Sequence, residues 1–141
     1  MTIQPYLFFE GRCEEALGFY QEALGARVEM MMRNRESPEP PPPECMPPGA
    51  EDKIMHACFS VDGARVMASD GMSSGKPDFK GFGISLTARD VQDADRKFNA
   101  LAAGGNVIVP LDRTFFSPRF GMVADRFGVT WMVMADGGKP A

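Results

Sequence analysis

The sequence predicts an α+β fold made of two βαβββ modules. Three features carry that expectation: short apolar runs bounded by turn residues, two amphipathic helical stretches that each end at a glycine, and an order of elements that recurs in the second half of the chain. The first strand is read at Ile3 to Phe9, "IQPYLFF", dense in aromatic and apolar residues. From Cys13 the apolar residues fall at Cys13, Ala16, Leu17, Tyr20 and Leu24, which is one face of a helix. Glu14 and Glu15 favour its positive N-terminal end, and Gly25 is a natural stop. A strand follows at Ala26 to Arg33. Two more, "KIMHACFSV" and "ARVMASD", flank Asp62-Gly63, a dipeptide suited to a tight hairpin.

The second half repeats this plan. A strand is expected at Gly81 to Thr87, then a helix begun by Asp90 and carrying Val91, Ala94, Phe98, Leu101 and Ala102 on one face, with Gly104 as its stop. Strands near "NVIVPL", "FGMVAD" and "VTWMVM" complete the set, the last two joined by a turn at Phe127-Gly128. Laying the halves over each other sets Ala16 on Ala94 and Tyr20 on Phe98, and one inserted residue then sets Gly25 on Gly104. The 141 residues are read as one domain, 1–141, with module 1 at about 1–75 and module 2 at about 79–136.

Inside module 1 lies "SPEPPPPECMPPG", a proline-rich insertion at 37–49. As an extended polyproline helix it reaches roughly 40 Å. Three readings stand beside each other: a solvated excursion, a lid or subunit contact, and a ligand for a proline-reading partner. A linker between domains is excluded, because the run sits between two strands of one module and half a module cannot bury a sheet face.

A net charge of -4 offers no basic field for a phosphate backbone, so nucleic acid is not an expected partner. No apolar run approaches the roughly 18 residues that span a bilayer and no leader pattern opens the chain, so no membrane partner and a cytoplasmic location are expected. Three cysteines, Cys13, Cys45 and Cys58, form no paired framework and suit a reducing compartment.

A single histidine, His56, excludes sites that need two. His56 and Cys58 are two apart on a strand and share a face. They read as a thiolate with its base, as two ligands of one metal, or as ordinary packing beneath a helix. A regular hairpin sets His56 opposite Ser69 with Asp70 next along, so His56 and Asp70 are candidate acid-base residues and Ser69 a candidate ligand contact. Arg119, just after the aromatic loop "TFFSP", is the third catalytic candidate, able to grip a carboxylate or phosphate. Asp125 reads as a cap of its turn, and Glu10 as a residue favouring the nearby helix start. Eleven methionines and eleven phenylalanines are many for this length and suit the lining of an apolar ligand site. Leu7, Phe9, Phe116 and Met132 are its candidate members.

The paired plan, with "FYQEALGARV" after the first helix and "DRFGVTWMVM" at the end, resembles the vicinal oxygen chelate superfamily of glyoxalases, bleomycin-resistance proteins and extradiol dioxygenases. "QPYLFFEGRCEEALGFYQEALGA", the proline-rich insertion, "DKIMHACFSV" and "FGMVADRFGVTWMV" are similar to its PhnB-like branch. The resemblance implies curved mixed sheets that form a cup-shaped cavity, helices on the outer face, a small-molecule ligand and a homodimer. It also implies metal ligands on the first and last strands of each module. Those positions fall here on Pro5, Gly83, Met132 and either Met67 or Ala68, and none suits Mg, Zn or Fe. The expectation is therefore a protein that binds a small apolar or aromatic molecule with no metal and no cofactor, either sequestering it or acting on it with acid-base groups such as His56. The alternatives are a metal enzyme with ligands at other positions, such as His56 with Asp70 or Glu10, and an interaction module that uses the proline loop.

Overall fold

A computed structural model describes residues 2–39 and 48–136. Most of the proline-rich insertion, and Cys45 with it, lies outside the described residues. The element order is β1 (Tyr6–Phe8), α1 (Cys13–Leu24), β2 (Arg27–Arg33), β3 (Ile54–Val61), β4 (Ala64–Ser69), β5 (Ile84–Ala88), α2 (Val91–Ala102), β6 (Asn106–Asp112), β7 (Phe120–Ala124) and β8 (Thr130–Ala135). The chain divides into two compact units, Met1–Asp78 and Phe79–Ala141. Each is a βαβββ module, as the sequence predicts, with strand order β1-β4-β3-β2 in the first and β5-β8-β7-β6 in the second. In both, the first strand runs parallel to the last and all other pairs are antiparallel, so both sheets are mixed.

In the first unit, α1 buries Cys13, Ala16, Leu17, Tyr20, Ala23 and Leu24. Tyr20 stacks on Phe59 at 5.3 Å and meets Phe9 at 6.2 Å between ring centroids. These contacts fix the helix side of the sheet: Leu7, Ala57, Phe59 and Ala68 all lie on it and are essentially inaccessible. Gly25 ends α1 in the left-handed conformation, as expected, and its N–H bonds Gln21. The start of α1 is held from a distance, because the Cys13 N–H donates to Asp70 Oδ1 at 2.7 Å. Asp62 and Gly63 both take positive φ, which makes the β3–β4 connection the two-residue hairpin the sequence calls for.

In the second unit, Asp90 caps α2 by accepting the Asp93 N–H at 2.7 Å. Asp93 reaches back to the Arg89 N–H at 3.1 Å and also pairs with Lys97 and Arg96. The helix ends at Ala103 rather than on the glycine itself. It covers Leu86, Val123, Trp131 and Val133, all buried. Gly121 lets it approach: a Cβ there would stand 2.7 Å from Phe98.

The first strand is shorter than the sequence suggests. Residues 3–5 fall outside β1, although the Pro5 carbonyl accepts the Met67 N–H of β4 at 2.9 Å, and Ile3 is 87% exposed.

Candidate functional site

Each sheet has one face against its helix and a second, open face turned away from it; in the first unit the candidates His56 and Cys58 stand on that second face. Register partners in a ladder present their side chains on one side of the sheet. In the first unit Met30, Cys58, Met67 and Tyr6 are successive partners across all four strands. Beside that row, Met32 is opposite His56, and Phe8 is opposite Ser69. Extending the hairpin register by one residue from Ala57 and Ala68 sets His56 opposite Ser69, as the sequence predicts. The open face of this unit is thus aromatic and sulfur-rich around one imidazole. Phe8 is 53% exposed there, and His56, Cys58, Met67 and Tyr6 are half-buried.

Among the described residues His56 has one polar partner. Its Nδ1 lies 3.1 Å from the Tyr6 hydroxyl, with ring centroids 5.5 Å apart, and Tyr6 in turn lies 5.0 Å from Phe8. The pairing leaves Nε2 as the second ring nitrogen on the open face. Sequence reasoning passes over Tyr6 and Phe8 because "YLFF" is apolar on both faces, and alternation alone cannot choose between them.

Four expected site residues stand elsewhere. Leu7 and Phe9 are 1% and 0% exposed on the helix side, where Phe9 packs on Tyr20, so they are core residues and not lining. Asp70 is 2% exposed and engaged at both oxygens: Oδ1 accepts the Cys13 N–H and Oδ2 the Ile54 N–H at 2.5 Å. It ties α1 to β3, a structural role, and is buried away from solvent. Arg119 turns to α2, where its Nε donates to Asp95 at 3.1 Å, on the side away from the open face. Its position alternates with Phe120, and only Phe120 shares a face with Met134.

Ser69 shares its row with Phe8, yet it is 4% exposed and its hydroxyl accepts the Gly71 N–H at 3.1 Å. Glu10 does not serve the helix start. Its carboxylate accepts the Met72 and Ser74 N–H groups at 3.3 and 3.2 Å and shapes the loop after β4. Asp125 caps its turn as expected, accepting from the Phe127 and Val129 N–H groups and from Trp131 Nε1 at 2.9 Å.

The open face of the second unit is apolar too. Met122 and Met132 are partners, Met134 is opposite Phe120, and Ser85 and Thr87 flank them on β5. Phe116, 53% exposed, packs edge-on against Phe120 at 5.2 Å. Met132 and Phe116 thus belong to the open side of this unit.

The positions that the resemblance assigns to the superfamily's metal ligands are Pro5, Gly83, Met132 and either Met67 or Ala68. Pro5, Gly83 and Ala68 have no donor side chain, and Met67 and Met132 offer only thioethers, which suit soft ions and not Mg, Zn or Fe. Among the described residues no three His, Cys, Asp or Glu side chains gather as a metal site. The residues do not fit the superfamily metal.

Two βαβββ units with helix-covered, mixed sheets define a glyoxalase-type fold. The model of the Glyoxalase/Bleomycin resistance protein/Dioxygenase superfamily matches residues 2–133, and the chain belongs to that superfamily. It is 36% identical to the Escherichia coli protein YjdN over 94% of each chain. Its fold is similar to that of PA1353 from Pseudomonas aeruginosa, with a TM-score of 0.83 and 43% identity over 96% of this chain and 98% of that one. The PhnB protein from Bacillus cereus is similar as well, with a TM-score of 0.78 and 27% identity over 96% of this chain and 100% of that one. Among the described residues no helix is long and apolar enough to cross a membrane.

Proposed function

We propose that the protein binds a small apolar or aromatic molecule on the open sheet face of its first unit, without a metal. The observation that carries this is the Tyr6–His56 hydrogen bond set among Phe8, Met30, Met32 and Met67. An apolar platform with one oriented polar pair is the usual makeup of a small-molecule site. Methionine adapts to ligand outline, and its sulfur makes favourable contacts with aromatic rings. The second unit offers the same kind of surface through Met132, Met134, Phe116 and Phe120. The polar pair orients a ligand hydroxyl or carbonyl, and His56 is the group able to exchange a proton with it.

A homodimer belongs to the same proposal. What supports it is β6, the edge strand of its sheet, where Val107, Ile108 and Val109 are 45%, 47% and 38% exposed. An apolar edge strand invites a covering partner.

The test is a thermal-shift screen with a panel of small aromatic compounds on the wild type, Phe8→Ala and His56→Ala. Phe8 is exposed enough for its loss to leave the fold intact. Compounds that stabilise the wild type and lose their effect in both variants are expected; compounds indifferent to both variants would sink the assignment.

A further inference from the structure

The same sheet face gathers sulfur donors whose lone pairs apolar binding does not use, and Cys58 stands among them. Met30, Cys58 and Met67 are direct partners on three adjacent strands, and the neighbouring row sets Met32 opposite His56. Partners of this kind have Cβ atoms about 4.5–5.5 Å apart on one face. His56 and Cys58, two apart on β3, point the same way. Three thioethers, one thiol and one imidazole therefore share a single patch.

We propose that this patch binds one soft monovalent cation, copper(I) or its analogue silver(I), through the Cys58 sulfur and the Met30 and Met67 thioethers, with His56 Nε2 as a further donor. Soft thioether and thiolate ligands select such ions, and flexible methionine side chains adjust to a two- or three-coordinate ion without backbone movement. His56 has its Nδ1 engaged by the Tyr6 hydroxyl, as a metal-binding imidazole usually has its other nitrogen engaged; in the tautomer with the proton on Nδ1 it donates to the Tyr6 oxygen and Nε2 carries the lone pair. Tyr6 and Phe8 present aromatic surface beside the patch, which favours a weakly hydrated cation. Glu29, towards the far end of the sheet, is taken up by Arg65 at 3.0 Å and does not compete for a hard ion there. Cys13 is buried under α1, and burial with the nearby Asp70 and Glu14 carboxylates pushes its thiol up to about 12, so it is a poor rival ligand. Binding replaces the Cys58 S–H bond by a sulfur–metal bond and releases one proton to solvent, with no change of oxidation state.

This inference stands apart from the aromatic-ligand reading, because it uses sulfur lone pairs and its test needs no organic ligand. The full chain carrying Cys45→Ser is titrated with silver nitrate in chloride-free buffers of different ionisation enthalpy, by isothermal calorimetry. One ion per chain and about one proton released are expected. In the same background, Met30→Leu and Met67→Leu, which conserve volume, should each weaken binding about tenfold, and Cys58→Ser about a hundredfold. Unchanged affinity in both leucine variants, or stoichiometric binding that survives Cys58→Ser, would overturn the assignment. X-ray absorption of the copper(I) complex of the unsubstituted chain gives a reading that needs no variant. Two or three sulfur neighbours are expected, and a single one would overturn it.

Discussion

The Tyr6 hydroxyl and His56 Nδ1 meet at 3.1 Å although their strands are not neighbours; β4 lies between them in the sheet. On β4 the Tyr6 row holds Met67 and the His56 row holds Ser69, so the bond runs diagonally across that strand. The pair is thus a product of the sheet's order, and it engages one of the two imidazole nitrogens.

Removing the hydroxyl isolates its contribution. Tyr6→Phe is expected to cost about 0.5–1.5 kcal/mol of stability, the usual net worth of one hydrogen bond. It should weaken aromatic ligands that carry a hydroxyl or carbonyl by about tenfold while sparing purely apolar ones, about 1.4 kcal/mol for the former. Affinities measured calorimetrically for matched ligand pairs check this, and equal losses for both classes would contradict it.

Asp70 is a staple, and its removal should be felt as lost stability. Asp70→Ala leaves the Cys13 and Ile54 N–H groups without their acceptor in a buried place. The expected cost is about 2–4 kcal/mol, read as a lower urea midpoint. Ligand affinity of the protein that remains folded should stay within about twofold. Wild-type stability with abolished binding would instead return Asp70 to the site.

Arg119 gives the opposite control. Its ion pair with Asp95 is partly exposed on both sides, and such pairs contribute about 0–1 kcal/mol. Arg119→Gln should change neither ligand affinity nor the urea midpoint by more than that, and a tenfold loss of binding would refute its placement on the helix side.

The sequence makes the element order, both helices, the hairpin at Asp62-Gly63 and the capping role of Asp125 legible, because each rests on local chemistry: period, turn residues, a cap. The site is legible only in part. His56 and Cys58 share a face by strand geometry alone, but which face that is depends on where α1 packs. Leu7 and Phe9 read as lining because they are apolar and alternate; Tyr6 and Phe8 alternate equally well, and Tyr20 on α1 decides between the pairs. Asp70 and Arg119 are misread for a similar reason. The partners that absorb them, Cys13 and Ile54 for one and Asp95 for the other, are distant in sequence, and no local pattern announces them.

Glu10 and Gly71 form a coupled pair. A Cβ at Gly71 would stand 2.1 Å from Glu10 Oε2, and Gly71 itself has φ of 56°. Gly71→Ala must therefore displace the carboxylate from the Met72 and Ser74 N–H groups as well as strain the backbone. A loss of about 1–3 kcal/mol is expected in the wild type, and about 1 kcal/mol when Glu10→Ala has already removed the obstacle. A double-mutant cycle by urea denaturation checks it, with strict additivity as the contrary result.

The two described thiols differ in burial. Cys13, with no exposed surface, has its pKa pushed from 9.0 to about 12, chiefly by burial and then by the Asp70 and Glu14 carboxylates. Because the folded state keeps a proton that the unfolded state releases, this thiol has no effect on stability below pH 9. Between pH 9 and about 12 it makes stability fall as pH rises, by up to about 1.4 kcal/mol per unit. Cys13→Ala should flatten that part of the stability profile relative to the wild type, with other alkaline titrations common to both. In Cys45→Ser protein at pH 8, Ellman's reagent should react with one thiol, Cys58, and reach Cys13 only on unfolding. Two thiols reacting at once in the folded protein would show that α1 opens on the timescale of the reagent, and the buried state of Cys13 would then not govern its titration.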